Sequence, residues 1–259
     1  MLNFEAIETF LNSRNEYIFK FSKILNMYKE RFKVSLDRQT LTKWEDKNFL
    51  MKIRRNYEFL KINFYNLVKI FYEKTNLDIF EFQVLPFVGL GYCNEWTEIY
   101  NNKIYNFLPL ENINSIKSLI AIIYKNYAIS YILSSNKNLL NTSFYNNLRN
   151  LILYGFGNFI VNICLNENPI ISIWLSQRSI YKIWFLDLKK HLKYYSFRFL
   201  IELNDESFGQ FSDWFLISRR GQYVGYEFFQ FLKNEFKKSI NLNLEVYRIK
   251  FLEFYESIN

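Results

Sequence analysis

Histidine, cysteine, glycine and proline are all scarce in this chain of 259 residues, and these scarcities exclude whole classes of site. The one histidine, His191, cannot supply the several nitrogen ligands of a typical zinc site, and a serine–histidine–aspartate triad would depend on it alone. The sequence contains no G-x-S-x-G turn, phosphate-binding loop, dinucleotide-binding glycine pattern, EF-hand or zinc-ribbon spacing. A thiol pair of Cys93 with His191 has no local support either. No familiar catalytic constellation is therefore expected.

The two cysteines, Cys93 and Cys164, are far apart and belong to no C-x-x-C pair, which favours two buried free thiols in a reducing compartment. The first residues begin an amphipathic pattern at once, without an export leader or a lipidation cysteine. The longest apolar run, residues 151–165, is interrupted by glycines and asparagines and is too short to cross a bilayer. We therefore expect a soluble protein of the cytoplasm or an organelle matrix, without a membrane span.

Apolar residues make up 50% of the chain and aromatic residues 20%, which is ample for a large core. The heavy use of Phe, Tyr, Ile, Asn and Lys is what an AT-rich genome produces. The formal net charge is +8, split over two regions and without a run of five like charges. A basic surface for nucleic acid is one interpretation of this charge, and compositional drift is the other. The aromatic residues fall at helical core spacing, which favours a core over a stacking platform for single-stranded nucleic acid.

Hydrophobic spacing predicts an α+β protein that is mostly helical. Apolar side chains recur at helical intervals over residues 4–32 and 50–71, which predicts an N-terminal helical layer within residues 1–79. Residues 80–108 contain segments of period two, two of them around an Asn-Asn pair at 101–102, which predicts a small sheet with a hairpin. Ser115 is a candidate cap for a helix that runs to Ser134, followed by a polar loop over residues 136–143 and further helices. Residues 80–259 are expected to form one compact unit with residues 1–79.

Within that helix, the apolar frame of residues 122–133 resembles the active-site helix of zinc peptidases. In those enzymes the motif H-E-x-x-H places two histidines on one helix face, where they bind zinc, and the glutamate acts as general base on the metal-bound water. This chain has Lys125 and Ile129 at the histidine positions and Asn126 at the glutamate position. An ordinary helix that exposes Lys125 and Asn126 to solvent is the alternative interpretation.

Three further stretches match other segments of such peptidases in the same order. Residues 87–91 (FVGLG) with 109–113 (PLENI) resemble a strand pair that ends in G-L-E. Residues 154–159 (YGFGNF) resemble E-G-x-A-x-[FY], whose glutamate supplies the third zinc ligand, and that position is Tyr154 here. Residues 180–184 (IYKIW), 214–215 (WF) and 219–226 (RRGQYVGY) resemble an I-W, a W-L and a G-Y-x-[VL]-G-Y pattern. The matches extend over about residues 80–259.

On these residues the chain resembles a bacterial family of predicted zinc-dependent peptidases, gluzincin-like and related to the lipoprotein B family of gliding motility. The resemblance implies a zincin-like fold, with a small sheet ahead of the active-site helix and a helical C-terminal subdomain. It also implies an inactive enzyme, because an isoleucine cannot ligate a metal, a lysine ammonium repels one, and an asparagine cannot take a proton from water. No metal or other cofactor is expected at the degenerate positions Lys125, Asn126, Ile129 and Tyr154.

Four residues of the C-terminal match are candidate cleft residues on the same resemblance: Arg219, Arg220, Tyr223 and Tyr226. Their alternative interpretations are a solvated turn for the arginines and core aromatics for the tyrosines. The expected function is that of a catalytically inactive metallopeptidase-like protein, a binding or structural module for a peptide segment or a protein partner. One alternative is a basic subunit of a large assembly encoded by an organelle or reduced genome, in contact with RNA or protein. The other is a residual enzyme of different chemistry.

Overall fold

The structure is a computed structural model, and it describes residues 2–77, 82–90, 96–100, 103–174 and 179–258. Helices and a small sheet make up the described chain, which confirms the predicted α+β, mostly helical class. The N-terminal helices are α1 (Glu5–Asn12), α2 (Arg14–Lys20), α3 (Ser22–Phe32), α4 (Arg38–Glu45) and α5 (Lys47–Thr75). The strands are β1 (Gln83–Phe87), β2 (Trp96–Tyr100) and β3 (Lys103–Pro109), and a 3-10 turn (Leu110–Asn112) follows them.

The C-terminal part of the described chain is helical throughout. Its first helices are α6 (Ile116–Ser135), α7 (Lys137–Asn141), α8 (Asn147–Leu165), α9 (Ile170–Trp174) and α10 (Ser179–Lys190). They are followed by α11 (Leu192–Ile201), α12 (Phe208–Phe211), a π-helix (Ser212–Ile217), α13 (Arg220–Phe231), α14 (Phe236–Ser239) and α15 (Leu244–Ser257).

The three described strands form a mixed sheet in the order β1-β3-β2. β1 is parallel to β3, whereas β2 and β3 form the predicted antiparallel hairpin, in which Tyr100 pairs with Lys103. The outer edge of β1 is occupied by the start of the chain, since the Asn3 N–H donates to the Val84 carbonyl at 2.9 Å. β2 has no second strand partner among the described residues and is therefore the open edge of the sheet.

Two long helices, α6 and α8, form the centre of the core because they are apolar on nearly every side. Ser115 caps α6, as predicted, by accepting the N–H of Ser118 at 3.1 Å. Asn146 caps α8 in the same way by accepting the N–H of Arg149 at 2.9 Å. α8 has the length and hydropathy of a membrane span, but 83% of its most apolar window is buried inside the protein. Burial of this kind is typical of a core helix.

Glycines allow α8 to pack unusually closely on both of its neighbours. A Cβ added at Gly155 would lie 2.5 Å from the backbone of Gly225 in α13, and one added at Gly225 would lie 2.5 Å from the Leu151 carbonyl oxygen. Gly157 faces α6 instead, where an added Cβ would lie 2.8 Å from Cγ of Lys125. The positions of α6 and α13 against α8 therefore depend on residues without side chains.

Several predicted boundaries are wrong, and local capping explains two of them. The pattern over residues 4–32 forms three helices because Ser13 is extended and accepts the Glu16 N–H, which starts α2. The segment 136–143, predicted as a loop, contains α7 because Asn136 caps a new helix there. Residues 212–217 form a π-helix, a form that the spacing of apolar residues does not distinguish from an α-helix. β1 covers residues 83–87 of the period-two segments predicted over residues 80–108, and residues 78–81, 91–95 and 101–102 lie outside the described residues.

The predicted pair of buried free thiols is confirmed at one position. Cys164 is free and buried, and burial raises the pKa of its thiol to about 12. Cys93 lies outside the described residues.

Substitution of Gly155 tests the close packing of α8 on α13. Gly155→Ala would place a methyl group against the Gly225 backbone, which cannot move aside as a flexible side chain could, so the free energy of unfolding should fall by about 2 kcal/mol. Chemical denaturation measures this change. Gly209→Ala is the matched control, because a Cβ at that helical glycine meets nothing closer than a Ser207 oxygen at 4.0 Å. Equal effects of the two substitutions would contradict the packing described.

Candidate functional site at the crossing of α6 and α8

Three of the four degenerate positions lie together where α6 crosses α8. Lys125 and Ile129 are one turn apart on α6, and a Cβ at Gly157 of α8 would lie 2.8 Å from Cγ of Lys125 and 3.2 Å from Cγ1 of Ile129. Tyr154 precedes Gly157 by less than one turn, and the Lys125 ammonium lies 5.0 Å from the centre of its ring. Residues that are far apart in the sequence therefore share one site.

Lys125 is a buried cross-link between helices, with only 1% of its surface exposed. Its ammonium donates hydrogen bonds to Oε1 of Gln222 in α13 at 2.8 Å and to the Ser172 carbonyl of α9 at 3.3 Å. The Tyr154 ring adds a cation–π contact. Gln222 is itself held in place, because its Nε2 donates to the Phe215 carbonyl at 2.7 Å. The interpretation of Lys125 as a solvated residue is therefore wrong.

Arg219 binds the same short helix, α9, from a second direction. Its Nη1 donates to the Ile173 carbonyl, and its guanidinium lies over the Trp174 ring at 4.7 Å. Lys125 and Arg219 thus both satisfy carbonyl groups toward the C-terminal end of α9, a position that favours positive charge. Arg220 contacts a different group, the Tyr195 ring, at 4.9 Å. Both arginines are held against aromatic rings of the protein, which is not the solvated turn of the alternative interpretation.

Asn126, the residue at the general-base position, is 2% exposed and faces the interior. Neither its Oδ1 nor its Nδ2 has a hydrogen-bond partner among the described residues. One turn further along α6, Ser130 donates to Oδ1 of Asn106 in β3 at 2.8 Å, and Thr97 of β2 donates to the same oxygen at 2.6 Å. This part of α6 therefore packs on the sheet. A carboxamide cannot accept a proton from water, so Asn126 supplies no general base.

The two candidate cleft tyrosines are core aromatics, as their alternative interpretation states. Tyr223 is fully buried, its ring lies 5.3 Å from that of Phe185, and burial raises the pKa of its hydroxyl, as does the nearby Glu227 carboxyl. Tyr226 is 8% exposed and accepts a hydrogen bond from Gln230 at 2.7 Å. Burial raises the pKa of both hydroxyls and so favours their protonated form, and neither tyrosine is among the residues that line the cleft described next.

A cleft runs along the open edge of β2, beside the helix crossing. Its inner part has a volume of about 10 Å³, at the lower limit for a single water molecule, and its outer part has about 140 Å³. Because Phe144 and Arg149 line both parts, we treat the two parts as one cleft and name it the β2 cleft. The inner part is also lined by Trp96, Thr97, Ile129, Asn150, Leu153 and Tyr154, and the outer part by Arg31, Glu98, Ile104, Leu133, Leu140 and Thr142.

Arg149 is the residue of this cleft that the sequence patterns missed. It is 6% exposed, and burial lowers the pKa of its guanidinium to about 10. Its Nε donates to the Leu139 carbonyl at 3.0 Å and its Nη1 to Oδ1 of Asn150 at 3.4 Å. The available signal was a lone arginine just before the apolar run of α8, since a charged side chain is rarely buried unless it is paired.

The side chains at the crossing do not fit a zinc ion. They offer an ammonium, an alkyl group, a carboxamide and a phenol, where zinc requires imidazole, thiolate or carboxylate ligands. Nor do three or more His, Cys, Asp or Glu side chains converge on a common point anywhere in the described chain. What the arrangement does provide is a set of hydrogen bonds that hold α6, α9 and α13 together.

Two other surface features lie away from the crossing. A cavity of about 490 Å³ lies between the connection of α8 to α9 and helix α10, with an apolar wall that includes Ile170, Ile171 and Phe185. Lys190 and Lys193 are exposed beside His191, at the junction of α10 and α11. A contact with RNA would depend on basic groups of this kind, and it stays a prediction from the charge of the sequence.

A double-mutant cycle on Lys125 and Gln222 tests the buried cross-link. Lys125→Met leaves acceptors of Gln222 and Ser172 buried without their donor, so the free energy of unfolding should fall by about 2 kcal/mol. The double variant with Gln222→Leu should lose less than the sum of the two single changes, by about 1 kcal/mol. Lys117→Met is the control on the same helix, because Lys117 forms only a partly exposed ion pair with Glu167. Additive losses would show that the two side chains are not coupled.

Comparison of this chain with protein-family models, with curated proteins and with solved structures gives no match.

Proposed function

We propose that this chain is a non-catalytic, zincin-like protein that binds an extended peptide segment of a partner in the β2 cleft. The observation that carries the proposal is the meeting of Lys125, Ile129 and Tyr154 at one helix crossing. The resemblance to zinc peptidases assigns the three zinc ligands to these positions, and residues that share a metal must be neighbours in space. Chance matches in a sequence rich in Ile, Tyr and Asn would not be expected to converge.

The replaced side chains keep a role in packing, which supports a protein that has lost its chemistry and retained its fold. Lys125 is hydrogen-bonded to α13 and α9, so a cationic group bridges the helices at the position assigned to a metal ligand. Ile129 lines the inner part of the cleft, where little more than a single water would fit. Hydrolysis needs a polarised water and a base, and none of the four degenerate positions provides either.

The open edge of β2 supports binding of an extended peptide. Tyr100 pairs with Lys103 across a two-residue connection, a register in which the flanking pair is hydrogen-bonded and the backbone groups of every second residue point away from the partner strand. In β2 these residues are Thr97, which is buried in the inner part of the cleft, and Ile99, whose pair Ile104 lines the outer part. An extended peptide that pairs with such an edge gains main-chain hydrogen bonds and places alternate side chains into neighbouring pockets. The cleft of about 140 Å³ lies beside this edge, whereas the corresponding edge of β1 is occupied by Asn3.

Restoration of the zinc ligands tests the zincin-like geometry. The purified wild-type protein should contain no stoichiometric zinc, whereas the triple variant Lys125→His, Ile129→His, Tyr154→Glu should bind about one zinc ion per chain, because its ligands would then converge as in a peptidase. Elemental analysis after dialysis against zinc measures this, and the absorption spectrum of the cobalt-loaded protein reports the coordination geometry.

The matched control for that variant replaces Ala128 with histidine in place of Ile129. Ala128 is equally buried but lies on a different side of α6, so its histidine should not join the site. Circular dichroism establishes that both variants are folded. The proposal fails if the folded triple variant takes up no more zinc than this control, or if the wild-type protein holds stoichiometric zinc through groups at residues 125–154.

Removal of one backbone N–H tests the open edge. Ile99→Pro deletes an outward-pointing donor of β2 beside the outer part of the cleft, a change that an edge strand tolerates, so binding of extended peptides should be lost while the fold is kept. Peptides selected on the wild-type protein from a phage-displayed random library provide the probe, and fluorescence anisotropy measures their affinity. Ile99→Val is the control, because it retains the backbone N–H and a β-branched apolar side chain. Selected peptides that bind both variants equally would place the contact elsewhere.

A further inference from the structure

We infer that Arg149 makes the β2 cleft a receptor for a carboxylate, the C-terminal carboxylate of a peptide whose last residue is apolar. The inference rests on the proposed function, since it specifies the ligand of the same cleft. Arg149 is one of the most deeply buried charges in the described chain, at 6% exposure, and it lines both parts of the cleft. A buried charge is costly unless it is paired, so its environment indicates what it is there to bind.

The donors of Arg149 are only partly used within the protein. A guanidinium has five N–H donors, and the hydrogen bonds of this one among the described residues go to Leu139 through Nε and to Asn150 through Nη1. The second of these bonds is long, at 3.4 Å. The guanidinium carbon also lies 5.7 Å from the centre of the Phe144 ring. A planar guanidinium with unused donors is suited to a carboxylate, which can accept two parallel hydrogen bonds.

Burial lowers the pKa of the Arg149 guanidinium, and Glu98, the one carboxylate among the described residues that line the cleft, raises it, but the hydrogen bonds of Glu98 are formed with other donors. Glu98 accepts hydrogen bonds from Nε of Arg31 at 3.0 and 3.1 Å, as well as from its Nη2. It also accepts one from Nε1 of Trp96 at 3.1 Å. Arg31 and Glu98 therefore neutralise each other, and the charge of Arg149 remains as the net positive charge of the lining. An anionic group in the cleft would neutralise this remaining positive charge.

The rest of the lining indicates what accompanies the anionic group. Ile104, Leu133 and Leu140 form an apolar wall in the outer part of the cleft, next to Arg149. A volume of about 140 Å³ suits a single side chain rather than a large ligand. An apolar side chain directly beside a carboxylate is the chemistry of a peptide C terminus. It also agrees with a peptide that lies along β2 and ends inside the cleft.

Three small molecules distinguish a peptide C terminus from an acidic side chain as the source of the carboxylate. They are N-acetylleucine, N-acetylleucinamide and N-acetylglutamic acid α-amide. N-acetylleucine should bind the full-length protein, and N-acetylleucinamide should bind about tenfold more weakly or not at all, because it lacks the charge that pairs with the guanidinium. NMR titration of the labelled protein measures these affinities. Equal binding of the acid and the amide would overturn the inference. Tighter binding of the glutamic acid derivative would also overturn it, in favour of an acidic side chain.

Variants of the cleft test whether Arg149 is the binding group. Arg149→Met should abolish the preference for the acid over the amide, and Arg149→Lys should retain part of it, since it keeps the charge without the two-pronged geometry. Thr142→Phe fills the outer part while it leaves Arg149 intact, so it should weaken N-acetylleucine even if Arg149→Met folds poorly. Arg38→Met, at an exposed arginine, is the control and should change nothing. Unchanged binding in folded Arg149→Met and Thr142→Phe would overturn the inference.

The two proposals fail in different ways. If the Arg149 variants bind N-acetylleucine like the wild type while Ile99→Pro still abolishes binding of selected peptides, the peptide-binding function stands and the carboxylate assignment is wrong. If N-acetylleucine binding depends on Arg149 and Ile99→Pro has no effect on selected peptides, the cleft binds a carboxylate without strand pairing.

Discussion

The close packing of α8 on both of its neighbours is the constraint on which the rest of the structure depends. Gly155 and Gly225 bring α8 and α13 into backbone contact, and Gly157 brings α8 against the stem of Lys125 on α6. Because α13 carries Gln222 and α6 carries Lys125, the distance of 2.8 Å between their side chains follows from these two crossings. A side chain at either contact between α8 and α13 would separate the helices and break the hydrogen bond that spans them.

The buried ammonium shows how the core accommodates a charge at this crossing. Burial of an ammonium group costs several kcal/mol unless hydrogen bonds and nearby dipoles offset the loss of water. Lys125 has a side-chain amide oxygen, a backbone carbonyl and the face of an aromatic ring around it. If the chain descends from a zinc peptidase, a lysine tethered to α6 has replaced an exchangeable metal ion as the cation that holds these helices together. Such an exchange would preserve the fold while it removes the reaction.

Local patterns in the sequence were sufficient for some parts of the structure and not for others. The cap at Ser115, the hairpin of β2 and β3 and the mostly helical class each depend on neighbours in sequence, and they were predicted. The partners of Lys125 were not, because Gln222 lies 97 residues away and carries no sign in its own segment that it accepts an ammonium. Arg149 was missed for the same reason, since the cleft that it lines is formed by β2, α6 and α8, which are distant from one another in the sequence. Long-range packing decides which polar residues become a site.

The same packing gives the β2 cleft a nearly closed inner part and a more spacious outer part. In the inner part of the cleft, Ile129 and Tyr154 help to line a space of about 10 Å³, at the lower limit for one water molecule. In the outer part, β2 has no second strand partner among the described residues, and a guanidinium with unused donors lies next to a volume that one side chain can fill. Main-chain hydrogen bonds and a single buried charge pair are enough to hold a peptide end. Under the proposed function, the groups for recognition lie on the sheet edge and on α8, whereas the positions assigned to the zinc chemistry lie at the crossing of α6 and α8.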